Sequence, residues 1–156
     1  MDDRGAEQRA LFRRWPTGVS VVVAEAGGRR AGLTVNSLVS LSLDPPLVGI
    51  SLALSASLYE VLREAGEWWV SILAGDQEQL AQHFARSIPP IALWDGIAVR
   101  EDDPRLLEGG VGWLHARTVA EVPAGDHTVF VGEVVSLDQG PGRGALVYLH
   151  REYHAL

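Results

Sequence analysis

Residues 32–48 read Gly32-Leu33-Thr34-Val35-Asn36-Ser37-Leu38-Val39-Ser40-Leu41-Ser42-Leu43-Asp44-Pro45-Pro46-Leu47-Val48, and the character of the chain changes twice within them. Up to Val35 the segment finishes a strand that begins near Arg30. Thr34 to Ser42 is then the densest polar cluster in an otherwise apolar region, and hydroxyls at this density usually mean a turn. In one reading Asn36 and Ser37 bond nearby backbone while Ser40 and Ser42 face solvent on a strand. In the other, uncharged donors and exposed backbone N–H groups line a polar ligand, for which a planar heterocycle with carbonyl and imide edges fits. Pro45-Pro46 opens a further strand, Leu47 to Leu54, because proline is tolerated at the start of a strand and not in its middle.

Upstream, Val19 to Ala24 is a β-branched run expected to be a buried strand, joined by a Gly27-Gly28 hairpin turn to the strand ending at Val35. Asp2 to Trp15 reads as a short amphipathic helix with acids early and Arg13 and Arg14 late, ended by Pro16-Thr17-Gly18. Downstream, Ser57 and Glu60 have capping-box spacing for a two-turn helix stopped by Gly66, and Asp76 with Gln79 repeats the signal. Trp68 to Leu73 lies between them as a strand. Ser87 to Gly110 reads as an irregular excursion with one strand at Gly96 to Arg100. Three strands follow, Gly112 to Val122, Thr128 to Leu137 and Ala145 to His150. Six or seven strands with three short helices argue for a closed or split antiparallel barrel, not an alternating βαβ sheet.

At 156 residues, 47% hydrophobic and 21% charged, the chain is expected to form a single domain over 1–156. It has no run of 18 apolar residues and opens Met1-Asp2-Asp3-Arg4, so neither a spanning helix nor a signal peptide is expected, and the cytoplasm is the expected compartment. With no cysteine, disulfides and thiol chemistry are excluded. Net charge is −7 and all thirteen basic residues are arginine, which disfavours nucleic acid and anionic membranes as partners. An anionic ligand must then be held by local donors and not by the overall field.

Two further constellations carry chemistry. Ser51 with Ser55-Ala56-Ser57 ends a strand and opens a helix, where unpaired N–H groups and hydroxyls can hold a phosphate; equally, Ser57 is a simple N-cap. Gly125-Asp126-His127 begins a strand, and His127 is either a solvated loop histidine or an imidazole at a barrel rim. His83, His115, His150 and His154 show no metal-ligand spacing, and no metal is assigned. Dinucleotide-fold, P-loop and hydrolase-elbow motifs are all missing. Trp68-Trp69 and Trp113 read as core, with Trp15 and Trp94 open.

Taken in order, Arg14-Trp15-Pro16-Thr17-Gly18-Val19-Ser20-Val21-Val22, the block Gly32 to Val48, Ser55-Ala56-Ser57, Leu80-Ala81-Gln82-His83-Phe84-Ala85, Gly125-Asp126-His127 and Leu146-Val147-Tyr148 resemble the flavin reductase family. The resemblance implies a mainly β, six- to seven-stranded antiparallel split β-barrel of Greek-key type with flanking helices. It also implies a homodimer with flavin near the subunit interface, and reduction of FMN or FAD by NADH or NADPH. It places Thr34, Val35, Asn36, Ser37 and Ser40 against the isoalloxazine and ribityl chain, Ser55 and Ser57 near the phosphate, Phe84 and Ala85 along the flavin, and His127 near the nicotinamide. Ser51 joins the phosphate group through its place before Ser55.

The chain departs from the family pattern at Trp15, where Phe is usual, at His115 and Ala116, where a cysteine is common, at Ala145 for Pro, and throughout 87–105. No residue is assigned as an acid or base catalyst, since hydride transfer between two cofactors asks for placement. The expected function is an NAD(P)H:flavin oxidoreductase that supplies reduced flavin to a partner monooxygenase. The alternatives are a split-barrel flavoprotein with tightly held FMN acting as electron carrier or oxidase, and a non-enzymatic flavin-binding module.

Overall fold

A computed structural model describes residues 3–156. In chain order the elements are α1 (Asp3–Phe12), β1 (Thr17–Gly18), β2 (Ser20–Ala26), β3 (Arg29–Val35), β4 (Val39–Leu43), β5 (Pro46–Ala53) and α2 (Ser57–Ala65). There follow β6 (Glu67–Ile72), α3 (Glu78–Phe84), α4 (Pro90–Leu93), β7 (Gly112–Ala124), β8 (His127–Gln139), β9 (Leu146–Leu149) and β10 (Glu152–Ala155). Seven strands form one sheet in the order β3-β2-β6-β7-β8-β5-β4, and β1, β9 and β10 form a small second sheet. Every pairing is antiparallel. The meander β6-β7-β8 with β5 returned beside β8 is the Greek-key arrangement.

β2 explains how the core divides. Val22 and Ala24 point into one apolar cluster, with Trp68, Val70, Ile50, Phe130 and the helix α2. Val21 and Val23 point the opposite way, into a second cluster with Trp69, Phe84, Leu107 and Leu146. Because α2 covers one face and α3 with the 93–107 segment covers the other, β2 is a continuous β-branched run and not an alternating one. Register irregularities at His115/Ala116 and Thr118/Ala120 interrupt the long β7–β8 ladder, and such bulges increase local twist. At Gly132 a Cβ would stand 2.6 Å from Trp68 Cζ2, so glycine is required for that indole to lie against the strand.

Several expectations change. The polar cluster is both a turn, at 36–38, and a strand, β4. The helix expected from Asp2 has its first residue outside the described residues, and α1 buries none of its side chains, so no amphipathic face meets the core. Ser57 is not an N-cap: that position falls to Ala56, with no side-chain cap, and Ser57 is the first helical residue. Gly66 does end α2, with φ 70° and its N–H bonded to Leu62 O at 3.0 Å. Asp76 does not cap α3 either. Gln77 takes the place, its Oε1 accepting from Ala74 N–H at 2.8 Å and its Nε2 donating to Glu108 O at 2.9 Å. No strand forms at Gly96–Arg100; the excursion holds α4 and a single bridge, Val99 to Leu107. The strands β1 and β10 were not anticipated, since each is short and is stabilised by pairing with β9. Among the described residues no helix is long and apolar enough to cross a membrane.

Candidate functional site

The C-terminal end of β3 and the turn after it form one wall of a cleft of about 210 Å³, whose lining includes Val19, Thr34, Val35, Asn36, Ala85 and Tyr148. None of these side chains is charged, and the cleft offers a flat aromatic surface beside amide and backbone polar groups. Tyr148 and Tyr153 face each other directly across the β9–β10 pair, with ring centroids 5.2 Å apart. Burial raises the Tyr153 hydroxyl above the usual phenol range, so it remains a neutral donor.

The hydroxyls divide by task. Thr34 Oγ1 donates to Ala81 O at 2.7 Å and ties the strand to α3. Ser37 Oγ donates to Ser51 O at 3.0 Å and accepts from Ser51 N–H at 3.0 Å, so the turn is fastened to β5 by a reciprocal pair. Asn36 and Ser40 are exposed, and Ser40 lies on the edge strand opposite Val48. Val35 is buried at the base of the turn. The ring of Phe84 is fully buried against Trp94 and beneath Gly32, where a Cβ would come within 3.0 Å, leaving Ala85 as the exposed member of that pair.

β5 then leads to the other candidates. Ala53 pairs with His127, and Leu54 N–H donates to Asp126 O at 3.0 Å, so the Gly125-Asp126-His127 turn is fixed beside Ser55 and Ser57. Both serines are exposed. With Ala56 at the cap position, no side-chain oxygen competes for the N–H groups that open α2. His127 is half-exposed, with Nδ1–H donating to Asp126 Oδ1 at 2.7 Å. That bond, with the histidine's charge, holds the Asp126 carboxyl below the usual range. The structure therefore fastens Ser37 to Ser51 and sets Ser55, Ser57 and His127 along one end of β5, with Asn36 and Ala85 on the cleft. Ser40 stands apart on the sheet edge.

Val19 and the two tyrosines were not singled out from sequence. The signal for the tyrosines is their spacing, residues 148 and 153, which a two-residue turn places opposite one another once β10 is recognised. Among the described residues no group of three or more His, Asp or Glu is placed to hold a metal.

Fold and cleft together define an antiparallel split-barrel protein with a rim suited to a flat, polar ligand. A family model described as the flavin reductase like domain matches residues 12–156. The reductase component of 4-hydroxyphenylacetate 3-monooxygenase from Thermus thermophilus is 37% identical over 148 residues, covering 95% of this chain and 94% of its own. An NADH-dependent flavin reductase from a Rhodococcus species is 38% identical over 151 residues, covering 90% and 80%. Among solved structures, the NADH:FAD oxidoreductase of Streptomyces globisporus C-1027 superposes with a TM-score of 0.89 at 32% identity, covering 99% of this chain and 94% of its own. The chain belongs to the flavin reductase family.

Proposed function

We propose that residues 1–156 act as one domain that passes a hydride from NADH or NADPH to FMN or FAD. The observation that carries this reading is an uncharged cleft at the end of β3 whose turn is tied to β5 through Ser37 and Ser51, the same strand that ends beside an uncapped helix start and the histidine turn. When bound, the flavin and the nicotinamide supply hydride acceptor and donor, so the chain's task is to bind, orient and exclude water. In this reading Thr34, Val35, Asn36 and Ala85 seat the flavin ring and Phe84 backs it from α3, while Ser40, on the sheet edge, lies away from this cleft. Ser37 and Ser51 hold the turn rigid, Ser55 and Ser57 with the first N–H groups of α2 take the phosphate, and His127 orients the nicotinamide. Backbone N–H groups around residues 34–37 are the source of stabilisation for negative charge developing on the ring.

The chain acts as a homodimer in this reading. The edge strand β4 supports it, since Val39, Leu41 and Leu43 are 46%, 49% and 88% exposed in the single chain. Its reduced flavin serves a partner monooxygenase, as the name of the Thermus relative suggests, and it works in the cytoplasm, where reduced nicotinamide dinucleotides are available. Relatives named as NADH-dependent flavin reductases favour turnover over a tightly held FMN or a binding module. The test is oxidation of NADH and of NADPH followed with FMN, FAD or riboflavin. Turnover with at least one pairing is expected, and none with any pairing overturns the reading.

A further inference from the structure

Helix α1 is ten residues long and buries none of its side chains. A helix of that length is marginal in water by itself, so one that packs no face on its own core gains from being covered. Its end carries Leu11, Phe12 and Trp15, which are 64%, 58% and 63% exposed. Phe12 and Trp15 line two hollows at once. In one, of about 260 Å³, they are joined by Leu11 and Arg14, and the surface is mainly apolar. In the other, of about 290 Å³, they are joined by Arg9, Arg13 and Arg151 and by no carboxylate. Three such guanidiniums are unusual in this chain of net charge −7. Arg29, Arg30, Arg63, Arg100 and Arg105 each hold an acidic partner, whereas Arg9, Arg13 and Arg151 make no ion pair among the described residues.

The backbone keeps that charge in place. Arg9 and Arg13 stand one helical turn apart and so share a face. His150 and Arg151 both have positive φ, 53° and 64°, a turn normally made by Asn-Gly because a Cβ is disfavoured at both positions. His150 N–H donates to Arg13 O at 2.8 Å, which fastens this turn to the end of α1. A strained turn persists only where its surroundings determine it, and here the result is a third guanidinium beside the other two.

Exposed Trp and Phe among unpaired arginines have the composition of a protein-binding hot spot. We infer that the end of α1 docks an acidic protein segment, with carboxylates meeting Arg9, Arg13 and Arg151 as bidentate partners and an apolar side chain entering the hollow beside Leu11. The basic hollow adjoins the uncharged cleft, since Asn36 and Tyr148 line both. A protein held here therefore stands at the mouth of that cleft. Its owner is the enzyme that accepts the reduced flavin, an assignment that rests on the proposed reductase reading. A second copy of this chain fits less well, because a two-fold contact centred on this face sets three guanidiniums against three. An anionic membrane is opposed by the net charge of −7.

The probe is a fluorescein-labelled Glu-Glu-Leu-Glu-Glu-Phe-Glu peptide, titrated with the full chain and followed by anisotropy, with its glutamine-for-glutamate counterpart as control. Wild type is expected to bind it saturably, about tenfold more tightly than the glutamine form, and less tightly as salt is raised. Affinity should fall about tenfold in Arg13→Ala and in Trp15→Ser. Arg9→Glu combined with Arg13→Glu should lose this peptide and take up the lysine-for-glutamate form, which separates lost charge from a lost fold. NADH oxidation with free FMN is expected to be unaltered in every variant. No saturable binding by wild type, or equal binding of the glutamate and glutamine forms, overturns the inference. So does a raised KM for NADH in the arginine variants, which places those side chains in the donor site. A fall in mass of Arg13→Ala in light scattering assigns the face to a second copy, and sedimentation with phosphatidylserine vesicles in place of peptide binding assigns it to a membrane; either result also overturns it. If the peptide binds as expected but wild type oxidises neither donor with any flavin, the reductase reading fails while the acidic docking surface is upheld.

Discussion

His127 is held at three points: its backbone pairs with Ala53 and with Ala124, and its ring with Asp126. A ring so fixed can orient a neighbour, and His127→Ala is expected to raise KM for the nicotinamide several-fold while flavin affinity is little changed. Steady-state kinetics beside a flavin titration check this, and unaltered nicotinamide kinetics remove the residue from the site. Gly132 is a different case, set by packing alone. Gly132→Ala drives a methyl to 2.6 Å from Trp68 and 2.8 Å from Ala116 Cβ, and should cost about 1–3 kcal/mol in chemical denaturation. At this scale the sequence was legible where chemistry is local. The hydroxyls of the Thr34–Ser42 cluster stand out in the chain, but that Ser37 is fastened to Ser51, and Thr34 to Ala81, depends on partners 14 and 47 residues away. Likewise the flavin placement of Phe84 did not foretell its full burial, because the contact that covers it is a glycine on β3.

Strands with a long apolar or β-branched run were readable as elements, as β2, β5, β6, β7 and β8 demonstrate. β1 and β10 were not, since two to four residues carry no period and exist only as partners of β9. The 87–110 segment is opaque for a related reason: one isolated backbone bridge and side-chain contacts, not a long ladder, hold it. Arg105 lies 3.8 Å over Trp69 and Arg100 4.3 Å over Trp113, while Trp113 Nε1–H donates to Leu107 O at 2.8 Å. Arg105 in turn bonds Asp103 at 2.8 Å. Burial alone would push the Asp103 carboxyl up, but hydrogen bonds from the Arg105 side chain and amide outweigh it and hold that carboxyl below its ordinary range. Its ionised form therefore stabilises the segment above the unfolded pKa of about 3.9, and that contribution is lost as pH falls through the folded value. Asp103→Asn should be less stable than wild type at neutral pH, with the gap closing on acidification, as thermal melts between pH 7 and pH 3 would reveal.

For the molecule as a whole, the sheet order could not come from periodicity, which says which residues are buried and not which strands are neighbours. The strand count argues for a closed or split antiparallel barrel, the family resemblance implies the split form, and the all-antiparallel seven-stranded sheet is consistent with it. The same limit applies to assembly, because the sequence reads Ser40 and Ser42 as a solvent-facing strand and gives no sign that Val39, Leu41 and Leu43 lie exposed along a sheet edge. If the homodimer covers that edge, Leu41→Asp with Leu43→Asp should shift the protein from dimer to monomer in light scattering. A dimer that survives the pair places the interface elsewhere.

The two-sided burial of β2 has a consequence in time. Paired on both edges and covered on both faces, its Val21, Val22 and Val23 amides have no local route to solvent. In deuterium they should exchange only when the whole domain opens, and their slow rates would report global stability directly. The β4 amides, at the margin of the same sheet, should exchange orders of magnitude sooner, so one spectrum would contain both the clock of the rim and the clock of the fold.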